Sequence, residues 1–173
     1  CEGLVLAGSH AGTVYVLGQD LSLKEILATG LPEDVTGIRC FSSRRRLHVV
    51  VLTERYAACT SSGKTLWSRS MEGGSCTGAV VMDFRLYLSL WEPGPCGGAD
   101  TGDAVLAVID ALTGETLSRS PLFEARAFGP FIDPEAGILE HVFWDRSVHE
   151  TDVSHLTGIA PQKLGTRIMA GPW

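Results

Sequence analysis

Short apolar runs, rich in β-branched residues and separated by polar turns, recur along this chain. Leu47-His48-Val49-Val50-Val51-Leu52 has the strongest strand character, and the runs Leu4–Ala7 and Thr13–Leu17 flank the short segment His10-Ala11-Gly12. Two such runs around a Gly-containing turn are typical of a β-hairpin. No segment longer than about ten residues carries the i, i+3, i+4 stripe of an amphipathic helix. The pattern therefore predicts an all-β protein built from many short antiparallel strands.

Three segments share one internal pattern, a strand followed by a polar residue and a turn ending in Ser-Gly or Thr-Gly. They are 56–67, 106–117 and 148–158, and their turn glycines, Gly63, Gly114 and Gly158, lie 51 and 44 residues apart. A Pro/Gly-rich insertion at 92–103 accounts for the longer spacing. The remaining period is close to the roughly 40–45 residues of a four-stranded propeller blade.

A second element, two short strands joined by a polar turn, precedes each of these hairpins. It lies at 38–47, 76–86 and 128–138, while 15–26 is a looser fourth hairpin whose unit lacks its first strand. We therefore expect a partial β-propeller of about four blades, each a four-stranded antiparallel meander, in one domain over 1–173. The tail 161–173 is expected to supply a further strand.

The repeats resemble the blades of the PQQ-like (quinoprotein alcohol dehydrogenase-like) β-propeller superfamily. The resemblance is carried by Gly129-Pro130-Phe131-Ile132-Asp133-Pro134, by Thr113-Gly114-Glu115-Thr116-Leu117 and by Ser62-Gly63-Lys64-Thr65-Leu66-Trp67. It implies that Trp67 is a blade-end tryptophan, whose counterpart in the next copy is Ser118. It also implies a ring of more than four blades, so the partners we expect are the remaining blades of a longer chain or another protein.

The resemblance also raises the question of a cofactor. Dehydrogenases of this superfamily hold PQQ beside Ca²⁺ with a catalytic Asp, and often with two adjacent cysteines. This chain has no Cys-Cys pair, and no Asp matches the catalytic one. We therefore expect no cofactor.

The five cysteines, Cys1, Cys40, Cys59, Cys76 and Cys96, are scattered and form no CxxC pair. That spacing excludes the common zinc and thioredoxin signatures. It favours reduced, buried thiols acting as small apolar side chains, with disulfides left open as the alternative.

Charge narrows the range of partners. With 14 basic and 20 acidic residues the formal net charge is −6, which argues against a dedicated nucleic-acid binder. No apolar run reaches the roughly 20 residues of a membrane span. No charged-then-apolar leader opens the chain. The compartment is left open, with the cytoplasm favoured.

Two places are candidates for binding a partner. Arg44, Arg45 and Arg46 form a basic run in a predicted turn, suited to gripping an anionic partner or simply to discouraging aggregation. The second is the insertion at 92–103, which includes Glu92, Asp100 and Asp103. The last two are carboxylates of the kind that Ca²⁺ prefers, but a flexible loop is the alternative.

No catalytic motif accompanies these features: the chain has no phosphate-binding Gly-Lys-Ser/Thr and no Gly-x-Ser-x-Gly. His149 and His155 are too far apart along a strand to share one metal ion. We therefore expect a non-catalytic protein-interaction scaffold. The alternatives are a propeller appended to a catalytic domain, such as an acyl-adenylating enzyme or a kinase, and a fragment of a PQQ-dependent dehydrogenase.

Overall fold

The computed structural model describes residues 3–71, 73–93, 102–123, 127–133, 138–143, 147–152 and 162–168. Within these ranges the chain forms β-strands and one short 3-10 turn at His10–Gly12. The strands are β1 Leu4–Gly8, β2 Thr13–Gly18, β3 Leu23–Ala28, β4 Gly37–Ser43, β5 Arg46–Leu52, β6 Tyr56–Ser61, β7 Lys64–Ser70, β8 Ser75–Met82, β9 Arg85–Pro93, β10 Gly102–Asp110, β11 Thr116–Phe123, β12 Ala127–Asp133, β13 Ile138–Phe143, β14 Ser147–Asp152 and β15 Gln162–Ile168. The all-β prediction is confirmed.

The described strands form four separate antiparallel sheets, each a meander of consecutive strands. The first sheet is β1–β3, and the second, third and fourth are β4–β7, β8–β11 and β12–β15. Contacts between sheets join the leading strands in series, β1 to β4, β4 to β8 and β8 to β12. Sheets arranged side by side around their leading strands are the blades of a β-propeller. The prediction of a partial propeller of about four blades is confirmed, and the first sheet has three strands rather than four.

The core lies between neighbouring sheets. Val14 and Val16 of β2 pack on Val49, Val51 and Ala58 of the second sheet. The opposite face of the second sheet packs on the third, and this cluster includes Val50, Leu52, Cys59, Leu88 and Ala107. Both faces of β5 are covered by neighbouring sheets. Its side chains are therefore apolar at successive positions and do not alternate between apolar and polar.

One face of the first sheet remains exposed. Val5 and Tyr15 are 42% and 38% exposed. In the second sheet the position equivalent to Tyr15 is Ala58, as the strand registers show. Ala58 is completely buried because the first sheet covers it. The first sheet thus exposes a face whose equivalent is buried in the second sheet.

The prediction of reduced cysteines is wrong for Cys40, which is disulfide-bonded. The other two described cysteines, Cys59 and Cys76, are free, so the partner of Cys40 lies outside the described residues. Spacing along the chain does not reveal which cysteines meet in space, which is why the sequence left disulfides open. Burial raises the pKa of the Cys59 thiol to about 12 and that of Cys76 to about 11, so both stay protonated near neutral pH.

Among the described residues, no helix is long and apolar enough to cross a membrane. The predicted tail strand is confirmed as β15, which pairs with β14. In the insertion, β9 extends to Pro93 and β10 starts at Gly102, so its ends are strand rather than loop.

Candidate partner-binding surfaces

The two ends of the sheets differ in their connections. At one, here called the turn end, lie the tight turns Arg44–Arg45, Ser62–Gly63 and Asp83–Phe84. At the other, the loop end, lie Thr53–Arg55 and the facing ends of β9 and β10. The structure therefore separates the predicted binding residues: Arg44, Arg45 and Arg46 are at the turn end, and Glu92 and Asp103 are at the loop end.

Arg44 and Arg45 form a two-residue turn in which both backbones have positive φ, 48° and 64°. Asp83 and Phe84 form the same kind of turn in the third sheet, with φ of 49° and 59°. Two-residue hairpins favour this geometry, but they usually place Asn and Gly in it, because Gly has no Cβ to clash with the following carbonyl oxygen and the short polar side chain of Asn tolerates the conformation. Arginine and phenylalanine at these positions therefore lower the stability of the folded state.

Aromatic rings lie beside the arginine turn. Phe41 stacks on His48 with ring centroids 4.9 Å apart, and Phe84 meets Phe41 edge-on at 6.0 Å. Phe84 is 46% exposed, whereas His48 is only 7% exposed. Burial, aided by the charge of Arg46, lowers the pKa of His48 and keeps it neutral near pH 7. We call Arg44, Arg45, Arg46 and Phe84, with Phe41 beneath, the arginine–aromatic patch.

At the loop end, Glu92 and Asp103 lie directly opposite each other on β9 and β10. Glu92 also makes an ion pair with Arg119. Asp100, the remaining predicted residue, lies outside the described residues. Within the described part of the chain, no group of three or more His, Cys, Asp or Glu side chains is placed to hold a metal ion. The structure thus brings two of the three acidic candidates together.

Glu33 is a loop-end residue that the sequence did not single out. Its carboxylate accepts hydrogen bonds from the Thr53 hydroxyl at 2.8 Å and from the backbone N–H and the Nε of Arg55 at 3.0 and 2.6 Å. Burial raises the pKa of Glu33, but these hydrogen bonds and the Arg55 charge outweigh that effect and leave it lowered. The residue ties the connection after the first sheet to the β5–β6 loop of the second.

Trp67 joins the second sheet to the third. Its indole N–H donates to the Ala111 carbonyl at 3.0 Å. The ring packs on Gly114, where an added Cβ would lie 2.7 Å from a ring carbon. The Arg69 guanidinium donates to the Gly114 carbonyl at 2.8 Å. The Thr-Gly turn recognised in the sequence is therefore the contact site of the tryptophan from the preceding sheet.

The junction between the first and second sheets differs. In the first sheet Glu25 of β3 pairs with Val16 of β2, and in the second sheet Trp67 of β7 pairs with Cys59 of β6. The two pairs are equivalent, so Glu25 occupies the position that Trp67 has in the second sheet. A cavity of about 150 Å³ lies here, and Glu25, Val49 and Thr60 help to line it. We call it the interblade socket. A residue-by-residue alignment of 15–26 on 56–67 places Ile26 opposite Trp67, so the strand registers, and not the sequence, identify Glu25 as the replacement.

Comparison with known proteins supports the fold. No protein-family model and no curated protein matches the chain. Among solved structures, a chain of the mitotic checkpoint complex matches with a TM-score of 0.72 at 11% identity, over 99% of this chain and 50% of that one. The WD40 domain of Neurospora crassa Pan2 matches with a TM-score of 0.64 at 13% identity, over 94% of this chain and 47% of that one.

The computationally designed protein Ika4 also matches, with a TM-score of 0.59 at 17% identity, over 87% of this chain and 85% of that one. The chain thus spans about half the length of the two natural neighbours and most of the designed one. At such low identity the likeness establishes a β-propeller fold.

Proposed function

We propose that this chain is a propeller module for protein–protein interaction and that the arginine–aromatic patch is its contact surface. The observation that carries the proposal is the strain in the two turns. Backbone strain that local sequence could easily relieve is retained mostly where side chains serve a function. Arg44, Arg45 and Phe84 occupy strained positions in adjacent sheets and are exposed.

The patch favours an acidic partner segment that carries an apolar or aromatic side chain. The three arginines outnumber Asp83, the acidic residue of the neighbouring turn. Arginine binds carboxylates in bidentate fashion, and an exposed aromatic ring beside it adds apolar contact area. The net charge of −6 of the chain makes this basic area a local exception.

The exposed face of the first sheet supports a second kind of contact, with a further propeller sheet. Because the same face of the second sheet is sealed by a neighbour, Val5 and Tyr15 are suited to another sheet of this type. The remaining blades of a longer chain or a partner would supply it. The packing of Trp67 on Gly114 supports a PQQ-like kinship, which we propose as the finer class of this propeller.

Binding of acidic and basic peptides tests the proposal. The probes are a fluorescent peptide of alternating Glu and Phe and its counterpart of alternating Lys and Phe. We expect the acidic peptide to bind more tightly, and Arg46→Glu to weaken its binding about tenfold or more, because a charge pair is lost and a repulsion is added. Phe84→Ala should weaken it as well, with less dependence on salt.

Lys64→Glu is the matched control, since it makes the same charge change in the Ser62–Gly63 hairpin at the same end. It should alter the affinity less than about threefold, through long-range charge alone. Equal losses in Arg46→Glu and Lys64→Glu, or no preference between the two peptides, would show that the patch is not the contact surface.

A further inference from the structure

The interblade socket is lined by buried apolar side chains and by a hydroxyl group without a hydrogen-bond partner, as many ligand sites are. Val16, Leu27 and Val49 line it and are 4%, 5% and 2% exposed. Thr60 pairs with Val49 in register, so its side chain projects from the same face of the second sheet, towards the first. Thr60 is 2% exposed, and its hydroxyl has no hydrogen-bond partner among the described residues. A buried hydroxyl without a partner is costly, and it points to a polar group of some occupant.

Charge is confined to one position on the rim. Glu25 alone is charged among the described residues that line the cavity. Its carboxylate lies over the Ser62–Gly63 turn, where a Cβ added to Gly63 would be 3.2 Å from Oε1. The socket therefore combines apolar side chains, the hydroxyl groups of Thr60, Ser61 and Ser62, and a negative charge at its opening. Of these hydroxyls, that of Ser61 already donates to the Leu47 carbonyl.

The next sheet junction shows what shape fits between sheets of this protein. There an indole ring, that of Trp67, packs on the turn glycine Gly114 and donates its N–H to a carbonyl. Beside the socket the corresponding glycine, Gly63, lies under the carboxylate of Glu25, which takes the place of the ring-bearing residue. The geometry points to a planar aromatic occupant.

We propose that the interblade socket binds a small planar aromatic amine. The ring lies between the first and second sheets, a ring N–H donates to the Thr60 hydroxyl, and the ammonium group pairs with the Glu25 carboxylate. This site is separate from the arginine–aromatic patch and selects the opposite charge, so either proposal can fail without the other.

An NMR titration of the ¹⁵N-labelled chain tests the site, with tryptamine, neutral 3-methylindole and anionic indole-3-propionate as probes. We expect saturable shifts at the amides of Val16, Val49 and Thr60 with tryptamine. Because Glu25 is exposed, its charge should favour tryptamine over 3-methylindole by about two- to fivefold. Indole-3-propionate should bind most weakly.

Variants decide between the socket and other surfaces. Glu25→Trp should fill the socket and abolish the shifts, whereas Leu66→Trp, which adds a tryptophan at an exposed position of β7, should leave them intact. Glu25→Lys should reverse the order of tryptamine and indole-3-propionate, and it decides the question should Glu25→Trp not fold. An absence of saturable shifts at millimolar tryptamine, unchanged binding in Glu25→Trp, or shifts centred on Phe84 would each overturn the proposal.

Discussion

The turn at Arg44–Arg45 carries strain that two substitutions should release. Both residues have positive φ, and the left-handed conformation costs an ordinary residue about 1–2 kcal/mol. Glycine at position 45 relieves this but loses about 0.5–1 kcal/mol through its larger unfolded-state entropy. Asn tolerates the conformation better than Arg and, with Gly, forms the preferred sequence of such turns. The double variant Arg44→Asn/Arg45→Gly should therefore be more stable by about 1–2 kcal/mol.

Thermal and urea denaturation measure this gain. For a chain of this size each kcal/mol raises Tm by about 2–4 °C, so an increase of about 2–8 °C is expected. Ser62→Asn is the comparison variant: Ser62 also has a positive φ, 51°, but its turn already contains Gly63, so only one strained position is relieved and the gain should be smaller, below about 1 kcal/mol. The same double variant should lose affinity for the acidic peptide. An unchanged or lowered Tm would refute the assignment of strain to this turn.

Three further predictions concern single contacts. Trp67→Ala should destabilise the fold by about 2–4 kcal/mol in urea denaturation, since it removes a partly buried ring and its hydrogen bond to Ala111; a loss below about 1 kcal/mol would contradict its role between the sheets. Glu33→Gln should lower the free energy of unfolding by about 1–3 kcal/mol at pH 7, because hydrogen bonds to a carboxylate are lost. The difference from the unsubstituted protein should shrink below about pH 4, as the native carboxylate also takes up a proton. A constant difference down to pH 3 would contradict this. Because the pKa of His48 is lowered in the fold, the unfolded chain binds a proton first as the pH falls below about 6.5. The free energy of unfolding should therefore be lower at pH 5.5 than at pH 7.5, and this decrease should be smaller in His48→Phe. The same decrease in both proteins would contradict the prediction.

The strands were predictable because hydrophobic pattern and turn chemistry agree along most of the chain. The looser hairpin predicted at 15–26 is confirmed as the antiparallel pair of β2 and β3. The same repeat indicated that the first unit lacks its opening strand, and the first sheet has three strands. Trp67 was recognised as a blade-end residue, but its packing partner Gly114 lies 47 positions away and only the fold brings the two together.

The candidate sites were harder to predict, for physical reasons. Arg44, Arg45 and Arg46 were visible as a charge run, but Phe84 joins them only through sheet-to-sheet packing against Phe41. The interblade socket arises from one residue, Glu25, at a position where the repeat suggests an aromatic ring. A local sequence pattern shows neither a missing volume nor an unpartnered hydroxyl such as that of Thr60.

The one-sided burial of the first sheet has a consequence for how the molecule opens. In arrays of this kind each unit is held mainly by its immediate neighbours. The second sheet is clamped from both sides, whereas β1 to β3 are supported from one side, with Tyr15 facing solvent. Amide hydrogens of β2 and β3 should therefore exchange with deuterium earlier than those of β5 and β6, so the first sheet should open before the second.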